Sequence, residues 1–116
     1  MLKVFIAQPL KTSPKTQSNL EKHLKPLVDT YLKNQPYTFI SPDPTDAIYK
    51  QPIDILADYI YYISQSNLVI FPINWEESKD TMAQNIICNL YKVPNVTEEA
   101  LTISNIINKN DVPNQK

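Results

Sequence analysis

Leu68-Val69-Ile70-Phe71 is an uninterrupted run of four apolar residues, and three of them are branched at Cβ or aromatic. A run this short, followed directly by Pro72, is typical of a strand buried on both faces at the centre of a parallel sheet. Residues 2–7 and Tyr37–Ile40 are two further β-prone segments. We therefore predict three strands that are separated by enough chain for a helix between each pair.

Helices are predicted between and after these strands, because apolar residues recur there every three to four positions. The first helix begins near Thr16 or Ser18, where Ser18 and Glu21 are spaced as a capping box. Its apolar stripe runs from residue 20 to residue 32 and includes Pro26, which lacks the N–H that a helix interior requires. We expect a kink at this proline, or a break into two helices.

The next two helices follow the second and third strands. Their core-facing residues are expected at the regularly spaced apolar positions, which are Ile53, Leu56, Ile60 and Ile63 in the second helix and Ala83, Ile86, Ile87, Leu90 and Tyr91 in the third. Ser78 or Asp80 is expected to cap the third helix, because both side chains accept hydrogen bonds from a first helical turn.

The end of the chain completes the alternation of strands and helices. Residues 93–96 are predicted to form a short edge strand, because Pro94 is tolerated only at the edge of a sheet. Thr97 then caps a last helix that ends near Asn108. This order favours a three-layer α/β domain with a mostly parallel sheet. We expect one domain over residues 1–109 and a polar tail over residues 110–116.

The composition excludes several kinds of site. The 116 residues contain no glycine, where average usage of about 7% predicts about eight, and all eleven basic residues are lysine. Glycine-rich loops that cradle phosphates are therefore excluded, and so are bidentate arginine contacts to phosphate or guanine. A net charge of −1, with the lysines spread along the chain, argues against a nucleic-acid partner.

Cysteine and histidine occur once each, which limits metal and redox chemistry. Cys88 cannot form an internal disulfide, and a metal site would have to be built with His23 as its one imidazole. The first apolar run is too short for a signal peptide, and no later run reaches the ~18 residues of a membrane span. We expect a cytoplasmic protein without a metal, a cofactor or a membrane partner.

Ligands of open parallel sheets bind beyond the carboxyl ends of the strands. This rule selects residues 7–9, 41–49 and 72–80 as candidate site segments. The third segment is the richest, because it places an indole, three carboxylates and an amide between a buried strand and a helix N-terminus. A structural alternative stays open, in which the carboxylates complement the helix dipole and Trp75 covers the edge of the core.

Four short motifs give the chain a family resemblance. The sequence KVFIAQPL at residues 3–10 resembles the KVFISQPM start of nucleoside 2-deoxyribosyltransferase-like proteins, whose small members are often phage-encoded. ISQSNLV at residues 63–69 is similar to the LSEADV entry of that family into its central strand. WEES at residues 75–78 is similar to GWEEARG, and residues 83–91 run in register with the helix that follows. The resemblance covers about residues 2–92 and implies a Rossmann-like fold.

The resemblance also implies a reaction. Enzymes of this family cleave the N-glycosidic bond of 2′-deoxynucleosides through a glutamate that attacks the anomeric carbon, as in retaining glycoside cleavage. The register places that glutamate at Gln84, a neutral and far weaker nucleophile. The family glycine before it is Asp80, and the aspartate before the central strand is Asn67. These substitutions predict impaired catalysis, unless Asp80 or Glu77 acts as a displaced carboxylate.

Three functions therefore stay open. The first is a catalytically impaired protein that binds a nucleoside or nucleotide. The second is a protein-interaction module, such as a phage-encoded inhibitor of a host protein, and the third is an active N-glycosidase or deoxyribosyltransferase. Such proteins often complete a site with a neighbouring subunit, so the resemblance also implies a homo-oligomer. The expected ligand-binding residues are Gln8, Pro9, Asn74, Trp75, Glu77, Asp80 and Gln84.

Overall fold

The computed structural model describes residues 1–43 and 50–111, with side chains up to residue 107. The sequence predictions for residues 44–49 and 112–116 lie outside the described residues. Strands and helices alternate along the chain. They are β1 (Leu2–Ile6), α1 (Pro14–Tyr31), β2 (Tyr37–Ile40), α2 (Pro52–Ser64), β3 (Leu68–Phe71), α3 (Lys79–Leu90), β4 (Asn95–Thr97) and α4 (Glu98–Asp111), with a short 3₁₀ turn at Trp75–Glu77 before α3.

The four strands form one parallel sheet in the order β2-β1-β3-β4. Helices α2 and α3 cover one face of the sheet, and α1 and α4 cover the other. The protein is therefore a three-layer, Rossmann-like α/β domain, as the sequence predicts. Strands β1 and β3 lie at the centre of its sheet. Among the described residues, no helix combines the length and apolar character needed to cross a lipid bilayer.

Alternating side chains of the central strands divide the core into two layers. Phe5, Val69 and Phe71 pack toward α2 and α3, whereas Val4 and Ile70 pack toward α1 and α4. All five of these side chains are fully buried. Burial on both faces explains why the central strands are nearly continuous apolar runs in the sequence.

Helix α1 begins earlier than the capping-box spacing predicts. Ser13 is the N-cap, and its hydroxyl accepts a hydrogen bond from the N–H of Thr16 at 3.2 Å. Pro14 then occupies the first helical position, where its missing N–H costs nothing. Of the kink or break expected at Pro26, the break is wrong, because the helix continues through this residue to Tyr31. Pro26 is exposed, so water can solvate the carbonyl that the proline leaves without a helical donor.

Helix α3 presents a different face to the core than its apolar spacing predicts. Thr81, Gln84 and Cys88 point inward, whereas Ile86, Leu90 and Tyr91 are exposed. Ser78 caps the helix as predicted, and its side chain accepts from the N–H of Asp80 at 3.2 Å. The Thr81 hydroxyl donates to the carbonyl oxygens of Trp75 and Ser78. These bonds fix the rotation of α3 about its axis, with Thr81 on the inward side. Burial raises the pKa of the Cys88 thiol to about 11, as expected of a core cysteine.

The inward face of α2 is also rotated from the predicted one. Ile55, Tyr59 and Ile63 are buried, while Ile53 is exposed and Leu56 and Ile60 are half-buried. Tyr59 packs edge-on against Phe5, with ring centroids 5.9 Å apart. The helix is apolar on more than one side, so residue spacing alone could not fix which stripe faces the sheet.

Turns that favour glycine are formed here by lysine and asparagine. Lys33, Asn34 and Lys92 all have positive φ just after a helix. At the end of α1, the N–H of Lys33 donates to the Thr30 carbonyl at 3.1 Å and the N–H of Asn34 donates to the Asp29 carbonyl at 2.9 Å. These two bonds form a Schellman motif with Lys33 at the position that glycine usually occupies.

We expect Lys33→Gly to raise the free energy of unfolding by ~0.5–1 kcal/mol, because glycine removes the Cβ strain of a left-handed residue. The gain is partial, since glycine also gives the unfolded chain more freedom. Urea denaturation measures this change. Lys33→Ala is the matched control: it keeps Cβ and should leave the stability close to wild type, so an equal gain in both variants would contradict the strain argument.

Tyr37 ties β2 to α1 through a carboxylate. Its hydroxyl donates to Asp29 Oδ1 at 2.7 Å, and Lys25 Nζ lies 3.2 Å from the same carboxylate. The hydrogen bond from Tyr37 is the main reason that the pKa of Asp29 is lowered. A lowered folded-state pKa stabilises the fold above the unfolded value, and that contribution is lost as the pH falls through the folded-state pKa.

Tyr37→Phe is therefore expected to lower the free energy of unfolding by ~1 kcal/mol at neutral pH, discounted for the partial exposure of Asp29. Its difference from wild type should shrink as the pH falls below ~3.9, where Asp29 becomes protonated in the unfolded chain. Thermal unfolding of both proteins between neutral and acidic pH tests this. Tyr61→Phe is the control, because Tyr61 is exposed; a difference for Tyr37→Phe that does not change with pH would contradict the assignment.

Candidate functional site

A cavity of about 210 Å³ opens at the carboxyl ends of β1 and β2, and we call it the β1–β2 cavity. Four segments line it: the loop after β1, the first turns of α1, the chain after β2, and the N-terminal half of α2. The lining residues are Gln8, Lys11, Thr12, Pro14, Gln17, Ser18, Glu21, Ser41, Pro42, Asp43, Ile55, Asp58 and Tyr59. Its place agrees with the rule that ligands of open parallel sheets bind beyond the carboxyl ends of the strands.

Gln8, directly after β1, is fixed by Gln84 of α3. The Gln84 side-chain Nε2 donates to the Gln8 carbonyl at 2.9 Å, and its Oε1 accepts from the Gln8 N–H at 3.4 Å. Gln84 is fully buried. Its amide therefore takes the place of a neighbouring strand just where the pairing of β1 with β3 ends.

Two buried amide oxygens beside the cavity have no donor in the part of the chain that the structure describes. Oε1 of Gln8 and Oε1 of Gln17 are both inaccessible to solvent and accept no hydrogen bond from the described residues. Both residues line the β1–β2 cavity. A buried acceptor without a partner costs ~1–3 kcal/mol, so such groups are rare in folded proteins unless a ligand or water satisfies them.

The cavity is rich in carboxylates. Of the described residues, Glu21, Asp43 and Asp58 line it together with one ammonium group, that of Lys11. Asp58 pairs with Lys50 at 2.6 Å, and Glu21 accepts from Gln17 Nε2 at 2.7 Å. This electrostatic balance favours a neutral or cationic ligand over an anion such as a phosphate.

Tyr59 forms part of the apolar floor of the cavity. Its ring packs in the core, and its hydroxyl lies 3.5 Å from the Pro9 carbonyl oxygen. Burial is the main reason that the pKa of Tyr59 is raised. The phenol therefore stays protonated at neutral pH and can serve as a hydrogen-bond group but not as a base.

A second, shallower depression brings together four of the sequence-predicted site residues, and we call it the β1–β3 depression. It has a volume of about 200 Å³ and includes Gln8, Pro9, Asn74 and Trp75. It lies where the connections from β1 and β3 leave in opposite directions, the usual position of ligands in this architecture. Gln8 therefore borders both concave sites.

The other three sequence-predicted site residues line neither the cavity nor the depression. Glu77 is exposed on the 3₁₀ turn. Asp80 Oδ2 accepts a hydrogen bond from the N–H of Leu10 at 3.1 Å, so its carboxylate holds the loop after β1. Gln84 is buried behind the Gln8 main chain. Asn67 also has a structural contact, since its Oδ1 accepts from the N–H of Lys3 at the opposite edge of the sheet.

Trp75 covers the edge of the core, as the structural alternative proposed. Its ring lies 5.3 Å from that of Phe71, and the side chain is half-buried. Sequence reasoning missed the residues that line the β1–β2 cavity from the helices, above all Gln17, Glu21 and Asp58. The four-residue spacing of Gln17 and Glu21 was the available signal, but it is common on solvated helix faces and identifies no site by itself.

Comparison with family models, with curated proteins and with solved structures found no match for this chain. The likeness to nucleoside 2-deoxyribosyltransferase-like proteins consequently stays a prediction from the four motifs. Among the described residues, no group of three histidine, cysteine, aspartate or glutamate side chains is placed to hold a metal ion.

Proposed function

We propose that this protein binds a nucleoside in the β1–β2 cavity and leaves its glycosidic bond intact. The observation that carries the proposal is the pair of buried amide oxygens of Gln8 and Gln17, which have no donor among the described residues and belong to side chains that line one cavity. A ligand that donates hydrogen bonds would satisfy both oxygens once the two side chains turn toward it. The four motifs shared with the nucleoside 2-deoxyribosyltransferase-like family supply the ligand class.

The chemistry of a nucleoside fits this acceptor-rich lining. Exocyclic amines, ring N–H groups and sugar hydroxyls can donate to the oxygens of Gln8 and Gln17 and to the carboxylate of Glu21. Ile55 and Tyr59 offer an apolar surface for a base. A 5′-phosphate would add negative charge beside Glu21, Asp43 and the Lys50-paired Asp58, so the three carboxylates still outnumber the ammonium groups of Lys11 and Lys50. We therefore favour nucleosides over nucleotides.

Binding without cleavage is supported by the surroundings of Gln84. At the position where the family has its nucleophile, this side chain bonds the main chain of Gln8 at both ends of its amide. The two alternative carboxylates, Asp80 and Glu77, line neither concave site. No described carboxylate on α3 is thus available to attack an anomeric carbon in the cavity.

Calorimetric titration of the full chain with the common nucleosides, 2′-deoxynucleosides and their 5′-monophosphates tests this proposal, with free base quantified in the same samples. At least one nucleoside should bind, and its monophosphate should bind ~10-fold or more weakly. Free base should not exceed a protein-free control. Failure of all the nucleosides to bind contradicts the proposed ligand class, and release of base contradicts the loss of catalysis.

A further inference from the structure

Gln17 and Glu21 lie side by side in the wall of the β1–β2 cavity, and we call these two residues the α1 pair. They are four positions apart on α1 and therefore share one face of the helix. Nε2 of Gln17 donates to Oε2 of Glu21 at 2.7 Å, and both side chains line the cavity. Because both residues belong to one helix, their relative position does not depend on how the layers of the domain pack.

The hydrogen bond within the α1 pair decides which end of the Gln17 amide is which. A carboxylate can only accept, so Glu21 requires the Nε2 end of this amide to face it. Turning the amide by 180° would place Oε1 of Gln17 against a carboxylate oxygen. Oε1 is therefore held at the opposite end, where it is buried and has no donor among the described residues. The pair consequently offers acceptors to a ligand, namely an amide oxygen and a carboxylate.

Other polar groups of the lining do not impose such a choice. The Gln8 side chain makes no hydrogen bond to another described residue, so its amide can turn to meet either a donor or an acceptor of the ligand. The Thr12 hydroxyl donates to the Pro9 carbonyl at 2.6 Å, and the Tyr59 hydroxyl lies 3.5 Å from the same oxygen. A fixed preference for hydrogen-bond donors therefore arises at the α1 pair.

We propose that the α1 pair makes the site selective for nucleosides whose base carries an exocyclic amino group in place of a carbonyl group. An amino group donates two hydrogens. One can go to the Glu21 carboxylate, and the other to Gln17 Oε1 once that side chain turns toward the ligand. A carbonyl at the same position of the base would set its oxygen against two acceptors. This inference rests on the proposed binding of a nucleoside in the β1–β2 cavity.

Two pairs of nucleosides test the selectivity, because the members of each pair differ mainly in this group: adenosine with inosine, and cytidine with uridine. In calorimetric titrations of the full chain, the amino member of each pair that binds should bind ~10-fold or more tightly than its carbonyl counterpart. A site built to hydrogen-bond one group rejects an analogue that leaves its polar atoms unpaired. The 2′-deoxy forms of all four are titrated in parallel, so that the choice of sugar does not decide the outcome.

Glu21→Gln tests whether residue 21 positions the Gln17 amide. The new amide can donate to Oε1 of Gln17 or accept from its Nε2, so the Gln17 amide can reverse and meet a carbonyl group. The ratio of the two dissociation constants within a pair should fall to within ~3-fold of one. A purely structural role would weaken both members equally and leave this ratio unchanged. Glu99→Gln is the matched control, because Glu99 is exposed on α4 and does not line the cavity; it should keep the wild-type ratio.

Three results overturn the inference while nucleosides still bind. They are a failure of both amino nucleosides to bind, equal or tighter binding of the carbonyl member in a pair that binds, and a selectivity that Glu21→Gln leaves intact. Each of them leaves the proposed function standing. Failure of every nucleoside to bind overturns the proposed function together with this inference. Far-UV circular dichroism verifies that each variant is folded.

Discussion

Gln84→Glu is expected to lower the free energy of unfolding by ~3 kcal/mol or more at neutral pH, although the new carboxylate has almost the same shape as the amide that it replaces. The wild-type amide donates to the Gln8 carbonyl and accepts from the Gln8 N–H. An ionised carboxylate can only accept, so one of its oxygens would face the Gln8 carbonyl oxygen in a fully buried site. Burial of the charge and repulsion between the two oxygens therefore both lower the free energy of unfolding.

The loss should depend on pH in a defined direction. A protonated carboxyl can donate to the Gln8 carbonyl, so the folded state should raise the pKa of the new group above its unfolded value of about 4.3. Stability should then fall as the pH rises from that value toward the folded-state pKa, and should approach wild type near pH ~4. Urea denaturation across this range, for wild type and variant in parallel, measures the effect.

Gln84→Met and Gln35→Glu separate the causes of this loss. Gln84→Met removes both hydrogen bonds without adding charge, so its cost of ~1–3 kcal/mol should not vary with pH. Gln35→Glu makes the same chemical change at an exposed residue and should change little. A Gln84→Glu protein as stable as wild type at neutral pH would show that this side chain is not held by Gln8. We also expect no release of base by this variant, because residue 84 is behind the main chain of Gln8.

The strands could be predicted from the sequence because a continuous apolar run indicates a strand that is buried on both faces. Leu68–Phe71 and Tyr37–Ile40 are strands at the predicted residues, and β1 ends one residue before the predicted end. The last strand comprises Asn95–Thr97 and not residues 93–96. Pro94 has no N–H to donate, and its carbonyl oxygen makes the first bond to β3 by accepting from the N–H of Val69 at 2.9 Å. Thr97 caps α4 as predicted, because its Oγ1 accepts from the N–H of Ala100 at 3.1 Å.

The core-facing side of each helix was harder to predict, because the spacing of apolar residues identifies an apolar stripe but not whether that stripe faces the sheet or the solvent. On α3 the apolar stripe is regular, yet Gln84 and Thr81 face the core and Ile86 and Leu90 face solvent. Two side-chain-to-backbone contacts outweigh hydrophobicity there, namely Gln84 with Gln8 and Thr81 with Trp75. The Gln84–Gln8 bond joins residues 76 apart in the chain and therefore leaves no periodic signal.

The candidate site was predictable at the level of the sheet edge and of Gln8. The rule for parallel sheets selected the ends of β1, β2 and β3, and Gln8 does border both concave sites. Which crevice is deeper depends on how α1 and α2 pack over the edge, which a sequence does not specify. Asp80 was proposed as a ligand or displaced nucleophile, but its carboxylate accepts a hydrogen bond from the N–H of Leu10. Its bond partner is 70 residues away in the chain.

Gln8→Met should have opposite effects on stability and on ligand binding. Gln8 Oε1 is buried without a donor among the described residues, and the Gln8 side chain makes no hydrogen bond to another described residue that the change would break, so an apolar side chain of similar shape should raise the free energy of unfolding of the ligand-free protein by ~1 kcal/mol. The same change removes an acceptor from the proposed site. It should therefore weaken nucleoside binding by ~10-fold or more, because the hydrogen bond that the ligand would make there is lost.

A residue whose replacement raises stability but weakens ligand binding belongs to a binding site and is not a packing defect, because proteins commonly keep functional groups that lower their stability. Urea denaturation of the ligand-free protein and calorimetric titration with the tightest-binding nucleoside measure the two quantities on the same samples. Gln35→Met is the matched control: Gln35 is exposed between α1 and β2, so its replacement should change neither. If Gln8→Met raises stability and leaves nucleoside affinity intact, then the ligand makes no hydrogen bond with the Gln8 side chain, and its buried oxygen is a packing defect and not part of a binding site.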